Sequence, residues 1–130
     1  MVVDTSALLA IILREDPAER LQNALLSAAT RRISVATVLE ASLVLVSRLG
    51  EPSDLELDAL LRELALDLVP VTTDQLRIAR DAGMDFGKGQ HPAGLNYGDL
   101  FSYALARSLD EPLLFVGNDF SQTEVTVAAW

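Results

Sequence analysis

At 130 residues, half of them apolar, the chain has material for one real core and too little for two comfortable domains. It has no cysteine, which excludes disulfides and thiolate metal sites and fits a reducing compartment. Nineteen acids against ten bases leave a formal charge of −9, so the whole-protein field repels nucleic acid. Contact with a polyanion then calls for a metal ion, a local basic patch or a second subunit, while a basic partner is favoured outright.

In chain order, "MVVD" predicts a short apolar strand and "TSALLAIILRE" a first helix. The opening has no basic n-region and is broken by Asp4, so it does not read as a signal peptide, and no apolar run reaches membrane-spanning length. The expected location is the cytoplasm, with no membrane partner. Asp16, Pro17 and Glu19 read as the cap, first-turn proline and reciprocal acid of a second helix whose apolar face is Leu21, Ala24, Leu25 and Ala28. "RRISV" is a second strand. "ATVLEASLVLVSRLG" is a helix ended by Gly50, apolar nearly all round and therefore expected to be buried.

Ser53 with Glu56 repeats the capping pattern before Leu57, Leu60, Leu61 and Leu64, and "LDLVPV" is a third strand closed by Pro70. Thr72 with Gln75 starts the helix "DQLRIARDAG". "MDFGKGQHPAGLN" has three glycines, a proline and no periodicity, so it reads as the one long loop. "YGDLFSYALARSL" is a helix with Tyr97 and Tyr103 half-buried, "PLLFV" a strand, "GNDFSQTE" a turn and "VTVAA" a last edge strand. Strands read as solid apolar runs alternating with helices predict a mainly parallel sheet covered on both faces, a three-layer α/β/α architecture in one domain spanning 1–130.

Ligands of such sheets gather beyond the carboxyl ends of the strands. Asp4 ends the first strand and Asp119 follows the "LLFV" strand. Glu40 lies early in the helix after the second strand, and Asp99 in the first turn of the helix after the long loop. One cleft would collect all four. Each also has a plainer role: Asp4 as a helix cap, Glu40 and Asp99 as reciprocal acids three residues after Thr37 and Asn96, Asp119 as a turn residue. Thr5 and Ser6 read either as a helix start or, for Ser6, as a hydroxyl that holds a carboxylate or a metal-bound water.

An all-oxygen acid cluster suits Mg²⁺ or Mn²⁺, whereas zinc would recruit histidine or cysteine. Lys88 and His91 are the only lysine and the only histidine, and both fall in the glycine-rich loop. "GKG" lacks the spacing and the final hydroxyl of a phosphate-binding loop, and no serine stands in a nucleophile-elbow context. Metal-assisted hydrolysis needs only the acids.

The blocks "MVVDTSALLAIIL", "ISVATVLEASLVL", "FGKGQHPAGLNYGDLFSYALAR" and "PLLFVGNDFSQTEV" resemble, in order and over nearly the whole chain, a PIN-domain ribonuclease, specifically the toxin of bacterial VapBC toxin–antitoxin pairs. The resemblance implies a metal site at Asp4, Glu40, Asp99 and Asp119, with the family's hydroxyl at Ser6. It implies a homodimer that cleaves single-stranded RNA with Mg²⁺ or Mn²⁺, and a cognate antitoxin that threads an arginine-bearing segment over the cleft. Two positions depart from the family pattern: Gln90 stands where a basic residue is common, and the tail reads "QTEVTVAAW" where many members have "TD" followed by an apolar residue, so that Glu124 replaces a secondary acid. Readings from other classes are a non-catalytic RNA- or protein-binding module of the same fold, and a metal-dependent phosphatase or DNA nuclease.

Overall fold

The computed structural model describes residues 1–50 and 54–130. Its first half runs β1 (Val2–Val3), α1 (Thr5–Ile12), α2 (Ala18–Ser27), β2 (Arg32–Ser34) and α3 (Val35–Leu49). The second half runs α4 (Asp54–Glu63), β3 (Asp67–Val69), α5 (Thr73–Phe86), α6 (Tyr97–Leu109) and β4 (Leu113–Leu114). The four strands form one parallel sheet in the order β3-β2-β1-β4, with Val2 opposite both Arg32 and Leu113 and Arg32 opposite Asp67.

Side chains of a strand alternate between the two sheet faces, and here that alternation divides the core. Val3 and Leu114 pack with Leu8, Leu21, Leu25, Leu45 and Leu57 from α1 to α4. Val2 and Leu113 pack on the other side with Ala82 of α5 and with Tyr103, Leu105 and Ala106 of α6. Both faces of β1 and β4 are dry, which is why these strands read as unbroken apolar runs instead of alternating ones. The expected three-layer α/β/α sheet is the fold.

Several local expectations need correction. Ala18 N–H donates to the Glu15 carbonyl at 2.9 Å, which folds Asp16 and Pro17 into a turn; Pro17 is the N-cap of α2, with no side-chain hydrogen bond. Helix α3 does end at Gly50 in the left-handed region (φ 74°), but it is not buried all round. Leu39 and Leu43 are 61% and 63% exposed, so one apolar face of α3 has no cover within this chain. Helix α5 continues through Met84, Asp85 and Phe86, because the Phe86 ring packs against Tyr103 (6.0 Å) and His91 (5.3 Å between centroids).

Tyr97 is exposed and Tyr103 fully buried, where both were expected half-buried. The tail adds a single bridge, Leu113 to Val127, instead of a full edge strand. The Thr72 cap forms as expected, its hydroxyl accepting from Gln75 N–H at 3.2 Å, whereas the Ser53 cap lies outside the described residues. Among the described residues no helix is long and apolar enough to cross a membrane.

Candidate acidic site at the strand ends

Asp4 leaves β1 and caps α1: its Oδ2 accepts from Ser6 N–H at 2.9 Å and from the Ser6 hydroxyl at 2.6 Å. The Ser6 hydroxyl in turn accepts from Val116 N–H at 3.0 Å, which ties the end of β1 to the end of β4. Capping uses only half of the carboxylate. Asp4 Oδ1 is buried with no donor, and a dehydrated carboxylate oxygen without a partner is costly. Such an atom calls for a cation or an ordered water, while the other oxygen fills the capping role.

Glu40 stands in the second turn of α3. The expected Thr37–Glu40 capping pair does not form. Ser34 is the cap, accepting from Ala36 N–H at 3.2 Å, and Thr37 is buried in hydrogen-bond contact with Ser102 at 3.2 Å. Glu40 is thereby free to reach across to α1, where Glu40 Oε2 accepts from the Thr5 hydroxyl. Its carboxylate also rests against Gly98 of α6.

Asp99 forms a true capping box. Asp99 N–H donates to Asn96 Oδ1 at 3.0 Å and Asn96 N–H donates to Asp99 Oδ2 at 2.9 Å. Its pKa is nonetheless pushed up to about 7. Burial is the main cause; the Asn96 N–H opposes it, and the charges of Asp4, Asp119 and Glu40 add to it. Capping alone would lower the value. Burial outweighs the cap, and the three other carboxylates add a smaller share.

Asp119 is exposed in the turn after β4, with Gly117 in the left-handed region (φ 106°). Asn118 fixes that turn through its backbone, its carbonyl accepting from Ser121 N–H at 3.1 Å and the Ser121 hydroxyl at 2.6 Å. Phe120 anchors it from below, packed edge-on against Phe115 with centroids 5.0 Å apart.

The four expected acids and Ser6 therefore face one region, but they do not form a closed cage. Among the described residues no three histidine or acidic side chains converge tightly enough to hold an ion as they stand. Like charges in one cleft stand apart. Glu124 pairs with Arg107 at 3.3 Å, Gln90 is exposed, and His91 serves its own loop by accepting from Ala93 N–H at 3.0 Å. Sequence reasoning missed Thr5 and Gly98. The signal for Thr5 was its place between Asp4 and Ser6; for Gly98, a glycine in the first turn of a helix beside an acid.

A family model described as PIN domain matches residues 1–125. Ribonuclease VapC30 of Mycobacterium tuberculosis is 49% identical over 129 residues, covering 99% of this chain and 98% of that protein. Ribonuclease VapC of Mycolicibacterium smegmatis is 50% identical over 125 residues, covering 96% and 97%. Ribonuclease VapC42 of Mycobacterium tuberculosis is 40% identical over 129 residues, with 98% of each chain covered. The order of blocks, the parallel sheet and these likenesses agree, and the chain belongs to the PIN-domain family, among the VapC ribonucleases.

Proposed function

We propose that this chain is a metal-dependent endoribonuclease that hydrolyses phosphodiester bonds of single-stranded RNA, acting as the toxin of a toxin–antitoxin pair. The observation that carries the metal reading is Asp4 Oδ1, a buried carboxylate oxygen with no donor, beside an Asp99 that feels the charges of Asp4, Asp119 and Glu40. The donor set is all oxygen, which suits Mg²⁺ or Mn²⁺. Asp4 and Asp99 are the principal ligands, and Glu40 and Asp119 complete the set directly or through water.

When bound, such an ion supplies Lewis-acid stabilisation of the phosphate and a water of lowered pKa. The chain's own part is positioning. Ser6 holds Asp4 Oδ2 and leaves Oδ1 for the ion. The Asn96 cap fixes Asp99 at the start of α6. Glu40 or Asp119 takes the proton of the attacking water, and in-line attack leaves a 3′-hydroxyl and a 5′-phosphate.

The pure protein should cut single-stranded RNA in Mn²⁺ or Mg²⁺ and stop when a chelator is added. Binding without cleavage across varied RNAs would favour a non-catalytic module, a reading to which the open arrangement of the acids lends its one support. Preferential cutting of DNA would favour a DNA nuclease.

Partners follow from charge and from the bare face of α3. A guanidinium from a basic antitoxin segment fits the acidic cleft as a bidentate donor, and the −9 charge steers that encounter. A shallow hollow of about 210 Å³, lined by Ala36, Leu39, Leu43, Tyr97 and Phe101, reaches Glu40 and continues the uncovered α3 face. This supports a homodimer, because isolated exposed leucines are ordinary but a contiguous apolar strip is not. Sedimentation at micromolar concentration should show a dimer, and Leu39→Glu with Leu43→Glu should shift it to monomer. A wild-type protein that sediments only as monomer would remove the dimer.

A further inference from the structure

We propose that Thr5 and Gly98 are positioning residues forming a seat for the Glu40 carboxylate, with Thr5 holding Oε2 and the bare Cα of Gly98 making room for Oε1. The inference rests on the metal-nuclease reading only for its functional consequence; the seat itself is geometric. A Cβ added at Gly98 would lie 2.0 Å from Glu40 Oε1, 2.4 Å from Cδ and 2.5 Å from Oε2. No real Cβ sits that close, so an alanine there would push the Glu40 carboxylate out of its observed position.

Gly98 does not need to be glycine for its backbone. It sits in the first turn of α6 and is not among the residues with positive φ. Glycine is disfavoured in helices against alanine, so its presence has another cause, and the Glu40 carboxylate occupies the space that explains it.

Thr5 supplies the second half. Its hydroxyl donates to Glu40 Oε2, while the hydroxyl of the next residue, Ser6, donates to Asp4 Oδ2. Adjacent residues thus each tie down one oxygen of a different acid. Asp4 Oδ1 is left with no donor, and in Glu40 the Thr5 bond engages Oε2 and leaves Oε1 to the space at Gly98. Oε1 is therefore the atom through which Glu40 meets a cation or the attacking water, and its direction is set by Thr5 and Gly98 together. Both are wide of any direct contact role: they act through Glu40.

Two measurements test this. The first is thermal melting of metal-free protein in a double-mutant cycle. Gly98→Ala should be less favourable to the melting temperature in the wild type, where the carboxylate is displaced and its Thr5 bond lost, than in a Glu40→Ala background, where alanine simply favours the helix. An equal effect of Gly98→Ala in both backgrounds would overturn the seat, and this arm needs neither metal nor RNA. The second is Mn²⁺ titration by calorimetry. Thr5→Val, close in shape but without the hydroxyl, should weaken Mn²⁺ binding by about tenfold or more, as loss of groups that orient metal ligands does; Thr5→Ser should restore it. A Thr5→Val protein that binds Mn²⁺ as the wild type does would overturn the positioning role. If the wild type itself binds no Mn²⁺ while the melting cycle behaves as expected, the metal reading falls and the seat stands.

Discussion

Asp99→Asn should reduce RNA cleavage by about a hundredfold or more while leaving the protein folded, and more stable than the wild type at pH 8. On the proposed metal reading the loss follows from removing a negative charge that the ion would need; single preorganised electrostatic groups are worth about a hundredfold to a thousandfold in rate. The fold survives because the capping role needs only an acceptor. The Asn side-chain carbonyl can still take the Asn96 N–H that Asp99 Oδ2 takes now.

The stability arm comes from the shifted pKa, raised from 3.8 to about 7. A raised folded-state value means that the folded chain binds this proton more tightly than the unfolded one. That contribution is fully present below the ordinary pKa of 3.8, fades as pH rises through about 7, and is absent above. At pH 8 the wild type therefore carries an ionised, partly dehydrated carboxylate beside three others, and Asn relieves it. At pH 3, below the ordinary value of 3.8, the side chain is protonated in both the folded and the unfolded chain, so the variant should melt close to the wild type. Melting temperatures of metal-free protein at the two pH values check the sign. A variant less stable at pH 8, or one that cleaves RNA at the full rate, would contradict the placement of Asp99 in the charged site.

Phe120→Ala should produce the largest stability loss near the site. Phe120 is 2% exposed and meets Phe115 edge-on in the core layer beneath α6. Truncating a buried phenylalanine costs about 3–5 kcal/mol, against a total of about 5–15 kcal/mol for a domain of ordinary stability. The same ring secures the turn that carries Asp119, so cleavage should drop even at temperatures where the variant stays folded. Phe120→Leu, which keeps most of the apolar volume, should recover most of both. Denaturant unfolding gives the first quantity and the RNA assay the second. A loss under about 1 kcal/mol, the range of ordinary substitutions, would show that the turn is held by its backbone hydrogen bonds alone.

The amino-acid order by itself determined the layers. β1 and β4 are read from solid runs of apolar residues, because a strand buried on both faces has no polar side to alternate with. The ends of α3, α5 and α6 were legible wherever the chemistry is local: Gly50 in a left-handed turn, the Thr72 hydroxyl on Gln75 N–H, and the reciprocal Asn96–Asp99 box. That Asp4 closes a strand, Asp99 opens a helix and Asp119 stands in a turn was legible too.

Tertiary structure decided what those acids do to one another. Whether Thr37 or Ser34 capped α3 depended on Ser102, sixty-five positions later, which claims the Thr37 hydroxyl. That Glu40 would turn away from its own helix start toward Thr5 and Gly98 depended on how α1, α3 and α6 converge. The exposed face of α3 carries the same lesson: a helix apolar all round predicts burial, but three packed layers had room for only one of its sides. Spacing along a chain specifies hydrogen bonds within a turn or two, while charge, burial and steric exclusion are summed over neighbours that only the folded chain brings together.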